Sequence, residues 1–294
     1  MAAAVTAPPR PVGILGGMGP AAGAEFVRLF VQACTERMQQ CGLAVHDQAF
    51  PEHWLAQVPV PDRSAALHLG GEALEAPLQA MDQAVGRLRA CGAQAIAIAC
   101  NTAHAWHGRL QQRFPGLELL HVAREMALHL RADGARAVGL MATQGTYDSG
   151  LYDEALAAVG IACHSPKPEE RATLMRGIYQ GVKTGDLALA QDCFASVGQA
   201  LRARYGADVP LVMGCTEIPL VLEQAPVAAS WRLLNPARIL AQALAGRAYP
   251  QAIGTLRYLS SPSPNKSLRL LPPPVLPELR GVPLGYSSAM RSSQ

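Results

Sequence analysis

Short apolar runs alternate along the chain with longer stretches of helical period, and the same junction recurs between them: a helix-like stretch, a glycine, then a strand-like run. The glycines are Gly42, Gly92, Gly134, Gly160 and Gly206, each where a helix needs a residue of positive φ past its C-terminal end. The runs predict strands at Val12–Leu15, Ala44–Ala49, Ala95–Ala99, Leu117–His121, Ala137–Met141, Ile161–His164, Pro210–Met213 and Arg232–Leu234. Several are apolar throughout rather than alternating, as parallel strands covered on both faces require. Between them, Ala190, Phe194, Val197 and Leu201 step by four, three and four residues, which gives a helix one buried stripe.

The pattern also repeats on a larger scale. VGILGGMGP is followed 87 residues after Gly13 by Cys100 in CGAQAIAIACNTAH, and AVGLMATQGT is followed 76 residues after Gly139 by Cys215 in YGADVPLVMGCTEIP. In each half a cysteine closes an apolar strand and a threonine follows at a helix start. The fold class expected is therefore α/β, with two pseudo-symmetric domains, each a mostly parallel sheet flanked by helices. The active site would lie in the cleft between them, at the C-terminal ends of the strands. The expected division is a disordered N-terminus at 1–10, a first domain at 11–113 plus 223–248, a second at 114–222, and a Pro/Ser-rich flexible tail at 249–294.

Composition narrows the function classes. With 294 residues, half of them apolar, the chain has material for two cores without disulfide or metal staples. The absence of an 18-residue apolar run and of a signal-like start leads to a cytoplasmic expectation, with no membrane partner. The net charge of +3 comes from residues 251–294, which carry +4, so the preceding residues sum to −1; no nucleic-acid surface is implied. The seven cysteines include no C-x-x-C pair, which argues against a zinc ribbon or a redox pair.

A lone cysteine at the end of a strand is more often a small buried hydrophobe than a reactive thiol. Cys100-Asn101-Thr102-Ala103-His104 and Cys215-Thr216-Glu217 offer more. Each thiol sits where strand gives way to helix, so free backbone N–H groups and the helix dipole can favour a thiolate. The same groups, with the Asn101 and Thr102 side chains, can bind a carboxylate. Two equivalent thiols suit stereoinversion at an α-carbon: one takes a proton from one face and the other returns a proton to the opposite face.

GILGGMGP, the PDR at Pro61–Arg63, ACNTAHA, ATQGT, MRGIYQGVKTG and GCTE, in this order and covering about residues 11–248, resemble the aspartate racemase family of the wider aspartate/glutamate racemase superfamily. The resemblance implies a cofactor-independent amino-acid racemase that uses neither pyridoxal phosphate nor metal and forms a homodimer. It makes Cys100 and Cys215 the acid/base pair. Met18, Asn101, Thr102, Ala103, Thr143 and Thr216 would line the α-carboxylate and amine site, with Arg63 on the side-chain carboxylate of aspartate.

The sequence departs from the family where relatives often carry a lysine just before the MRGIY-type helix; Ala172 and Thr173 stand there. Lys167, Arg171 or Arg176 could substitute, Arg171 being preferred. Asn235-Pro236 and Leu240 occupy positions where relatives tend to have Asp-Thr and His. His104, one helical turn after Cys100, could orient it, and Glu217 could tune Cys215.

Other chemistry is less well supported. Gly17-Met18-Gly19-Pro20-Ala21-Ala22 fits a dinucleotide-binding pattern formally, but its acidic partner Asp47 lies 28 residues past Gly19, too far and within an expected strand. The histidines form no metal-ligand spacing. The leading expectation is racemisation of aspartate. The rivals are a glutamate-type or broad-specificity racemase, a dicarboxylate isomerase or decarboxylase, and a non-catalytic amino-acid sensor.

Overall fold

A computed structural model describes residues 8–250. They form two four-stranded, wholly parallel sheets. The first contains β1 (Val12–Gly16), β2 (His53–Gln57), β3 (Ala95–Ile98) and β4 (Glu118–Leu119) in the order β2-β1-β3-β4. The second contains β5 (Ala137–Ala142), β6 (Ala162–His164), β7 (Leu211–Gly214) and β8 (Leu233–Leu234) in the order β6-β5-β7-β8. The two orders are the same, so the repeat in the sequence is a repeat in topology.

Period-two alternation assigns each strand residue to one of two layers. Val12 and Ile14 of β1, Ala95 and Ala97 of β3, Val138, Leu140 and Ala142 of β5, and Val212 of β7 all belong to one shared core. That core is completed by α1 (Pro20–Gln40) through Phe26 and Phe30, by α5 (Val122–Ala132) through Met126, and by α11 (Pro236–Ala248) through Leu240 and Leu244. The opposite faces serve separate outer cores. Ile96 and Ile98 meet Leu78, Met81, Val85 and Leu88 of α3 (Glu75–Ala90). Met141, Leu211 and Met213 meet Phe194, Val197 and Leu201 of α9 (Leu187–Tyr205). Each fully buried side chain of this size contributes about 1.5–3 kcal/mol. The stripe expected on α9 is buried throughout, and all five junction glycines have positive φ, between 66° and 110°.

Four expectations meet a different outcome or none. Ala44–Ala49 is not a strand: a 3-10 turn covers Asp47–Ala49, and the edge strand comes later, at His53–Gln57. The polar His46, Asp47 and Gln48 give no apolar face, whereas β2 is half exposed and lacks the apolar run of its neighbours. β4 pairs with the first sheet and β8 with the second, so the sheets change over after the 113/114 and 222/223 boundaries read from sequence. Arg10 N–H donates to Ala248 O at 2.9 Å, and Tyr249 is buried in the shared core, so both residues belong to the fold. The rest of the expected N-terminal and tail segments, 1–7 and 251–294, lies outside the described residues. Among those described, no helix is long and apolar enough to cross a membrane, and all seven cysteines are free.

Candidate active site

The loops at the C-terminal ends of the strands converge on one cavity, as in open parallel sheets generally. From the first half come Met18 after β1, Asp62, Arg63 and Ser64 after β2, and Cys100, Asn101 and Thr102 after β3. From the second come Thr143 after β5, Ile178, Tyr179 and Lys183 after β6, and Cys215, Thr216 and Glu217 after β7. The two cysteines, equivalent by topology, thus line the same space. It is narrow, a cavity of about 20 Å³, room for roughly one or two waters. A wider vestibule of about 430 Å³ adjoins it and shares Met18, Arg63, Lys183 and Glu217.

Cys100 is 7% exposed. It precedes a 3-10 turn, Thr102–Trp106, that runs into α4 (His107–Arg113). His104 braces this turn, because its Nδ1 lies 2.9 Å from Cys100 O and 3.3 Å from Asn101 O. Two carbonyl partners require the hydrogen on Nδ1, which leaves Nε2 buried without a partner. Behind it His107 and His121 complete a cluster with ring centroids 4.8–6.2 Å apart. Burial, then the neighbouring histidine, lowers His104 to about 4 and His121 to about 3, so both are neutral at pH 7.

Cys215 is 5% exposed and follows β7 directly. Its thiol donates to Glu217 Oε2 at 2.9 Å, and the Thr216 hydroxyl donates to the same oxygen at 3.1 Å. Burial first, and the Glu217 charge second, push the Cys215 thiol well above its usual range. This reverses the expectation of a favoured thiolate. The reason is local: the turn after β7 leads to the four-residue α10 (Pro219–Leu222), whose dipole is short, while a carboxylate stands against the sulfur.

A ring of three hydroxyls joins the halves. Thr102 Oγ1 lies 2.8 Å from Thr143 Oγ1 and 3.0 Å from Thr146 Oγ1, and the last two are 3.0 Å apart. Thr143 caps α6 (Gln144–Asp148), its Oγ1 accepting from Thr146 N–H. Above the cavity the first half latches to the second: Tyr179 donates its hydroxyl to Asp62 Oδ2 at 3.0 Å. Asp62 also caps α2 (Arg63–Leu69) through Ala65 N–H. Although burial opposes it, the Ala65 N–H and then the Tyr179 hydroxyl hold the Asp62 carboxyl below its usual range.

Two cations face the space. Arg63 gives one terminal nitrogen to Val60 O and Pro61 O and the other to Met18 O, so it braces the β1 loop as well as charging the cavity. Lys183 Nζ lies 4.0 Å from the Tyr179 ring centroid. It lies in the 3-10 turn Val182–Thr184 of MRGIYQGVKTG, after a π-helical stretch, Gly177–Gly181, that continues α8 (Pro168–Arg176) and packs against α9. Lys183 thus lines the cavity from beyond that helix, whereas Ala172 and Thr173, within it, do not.

The remaining expected positions lie elsewhere. Ala103 is buried in the turn, and His104 acts behind Cys100. Arg171 stacks on the Tyr147 ring at 4.4 Å and donates to Pro166 O, and neither Lys167 nor Arg176 lines the cavity. Asn235 caps α11 and Leu240 is core, so these departures from the family pattern are structural. Sequence reading missed Asp62, Ser64, Ile178, Tyr179 and Lys183. Asp62, Tyr179 and Lys183 stood inside the quoted PDR and MRGIYQGVKTG motifs, but which of their side chains turn inward depends on the packing of the two halves.

Two parallel α/β units with flanking helices, and a cysteine from each at one cavity, define a protein of racemase architecture. The chain belongs to the Asp/Glu/hydantoin racemase family, whose model matches residues 15–244. It is similar to the aspartate racemase of Picrophilus torridus, at 27% identity and a TM-score of 0.64 over 83% of this chain and 98% of that one. An aspartate racemase homologue from Pyrococcus horikoshii OT3 shares the fold, at 23% identity and a TM-score of 0.61 over 81% and 99%. The broad specificity amino-acid racemase RacX of Bacillus subtilis is 28% identical over 152 residues, 51% of this chain and 61% of that relative. This chain thus spans about three fifths of that curated relative.

Proposed function

We propose that this protein racemises aspartate, interconverting the L and D forms without a cofactor, by proton transfer between Cα and the Cys100 and Cys215 sulfurs. The observation that carries this reading is that the two thiols, one from each half, line a single cavity. A thiolate at Cys100 takes the α-proton from one face while the Cys215 thiol, the form favoured here, gives its proton to the other face. The opposite enantiomer reverses the roles, as two-base transfer requires.

The surroundings supply what the substrate needs. In a closed ring the threonine hydroxyls donate to one another; Thr143 Oγ1 also accepts from Thr146 N–H, so Thr102 is the cavity hydroxyl that keeps a lone pair suited to the substrate's ammonium. Asn101 and the backbone at Thr216 receive the α-carboxylate, which carries developing charge when Cα loses its proton. Arg63 and Lys183 place two positive charges near the side-chain carboxylate, favouring an acidic substrate over an apolar one. The narrow cavity must widen to admit an amino acid; the Asp62–Tyr179 hydrogen bond joins the two halves at its lining.

Likeness to a broad specificity racemase supports a second reading in which several amino acids are turned over. Incubation with a panel of L-amino acids in heavy water, followed by NMR of the α-proton, separates the two. Deuterium should enter both enantiomers of aspartate and be lost from the reaction in Cys100→Ala and in Cys215→Ala. Full activity in either variant rejects the two-base scheme.

A further inference from the structure

Asn101 and Thr102, adjacent in the first half, are both held by side chains of the second. For Thr102 the partners are Thr143 and Thr146. For Asn101 it is Tyr152 of α7 (Leu151–Ala157), whose hydroxyl donates to Asn101 Oδ1 at 2.5 Å. Tyr152 is fully buried and sits in the shared core; Asn101 is 4% exposed and lines the cavity.

We propose that Tyr152 is a positioning residue that fixes the Asn101 amide with its NH2 group toward the cavity, making that group a donor for the substrate's α-carboxylate. This rests on the racemase reading above. An amide has one accepting end and one donating end, and the accepting end is occupied by the phenol. Rotating the amide by half a turn would set its NH2 against the Tyr152 oxygen. The phenol hydrogen would then lose the one acceptor it has among the described residues, in a place that water does not reach. The turned amide would also present an oxygen to the carboxylate, two acceptors facing each other. Tyr152 therefore decides the polarity of the cavity wall beside Cys100, from across the junction of the halves and without touching the substrate.

The test uses the full-length enzyme with Tyr152→Phe, Asn101→Ala and the double variant; phenylalanine keeps the buried ring. With L-aspartate, Tyr152→Phe should lower kcat/KM about tenfold, the scale of one hydrogen bond to a charged group. In the Asn101→Ala background the same change should cost nothing further. In ligand-free protein the Asn101 side-chain amide resonances, assigned by their loss in Asn101→Ala, should move in Tyr152→Phe. An equal loss of kcat/KM in both backgrounds, as a purely structural tyrosine would give, overturns the proposal, and so do unmoved amide resonances. Should wild type exchange no α-proton of any amino acid, the racemase reading fails, while the amide resonances still decide whether Tyr152 holds the Asn101 amide.

Discussion

The Cys215 thiol donates to the Glu217 carboxylate at 2.9 Å, whereas Cys100 is braced through its carbonyl by a neutral histidine, His104. The two halves share a topology but not an electrostatic environment. Replacing Glu217 by Gln removes a negative charge that, after burial, helps hold the Cys215 proton. The alkaline limb of the kcat/KM profile should move to lower pH, and activity on that limb should fall about tenfold or more. An unmoved limb would show that Glu217 does not govern the thiol.

Lys183 and Arg63 differ in how committed they are. Arg63 is engaged by three backbone carbonyls, while Lys183 rests on an aromatic face. Lys183→Met should raise KM for aspartate by about 10- to 100-fold, the range for a hydrogen bond between charged groups, and leave any turnover of alanine nearly unchanged. Steady-state kinetics on both substrates decides it.

The buried histidines make stability depend on pH. The folded form holds His104 at about 4, against an ordinary value of 6.5, so the unfolded chain binds the extra proton. The stability tied to this group is complete above about pH 6.5 and is lost as pH falls toward 4. Tm measured from pH 7.5 to 4 should decline across that window. His104→Asn, which retains an N–H donor for Cys100 O but cannot titrate, should flatten the decline.

Gly145 marks a close approach of the halves beside the site. A Cβ there would lie 2.9 Å from Ser64 Cα and 3.0 Å from Thr102 Cγ2. Gly145→Ala should cost about 1–3 kcal/mol of stability by overpacking and raise KM, because Thr102 must shift. Denaturant unfolding and kinetics on the same preparation measure both effects.

Local physics carried much of this protein in its sequence. Apolar runs buried on both faces, stripes of helical period and glycines at helix ends act over a few residues, so seven of the eight strand assignments, the parallel sheets and the twofold repeat could be read directly. The exception, Ala44–Ala49, lay beside an edge strand that is half solvated and carries no continuous apolar signal. Tertiary structure alone decided which cation turns inward, that Arg171 stacks on Tyr147 rather than facing the cavity, and that Asp62 meets Tyr179 and Asn101 meets Tyr152. Those contacts join residues 117 and 51 positions apart. They are set by how the two sheets pack through their shared core, a geometry that no local pattern encodes.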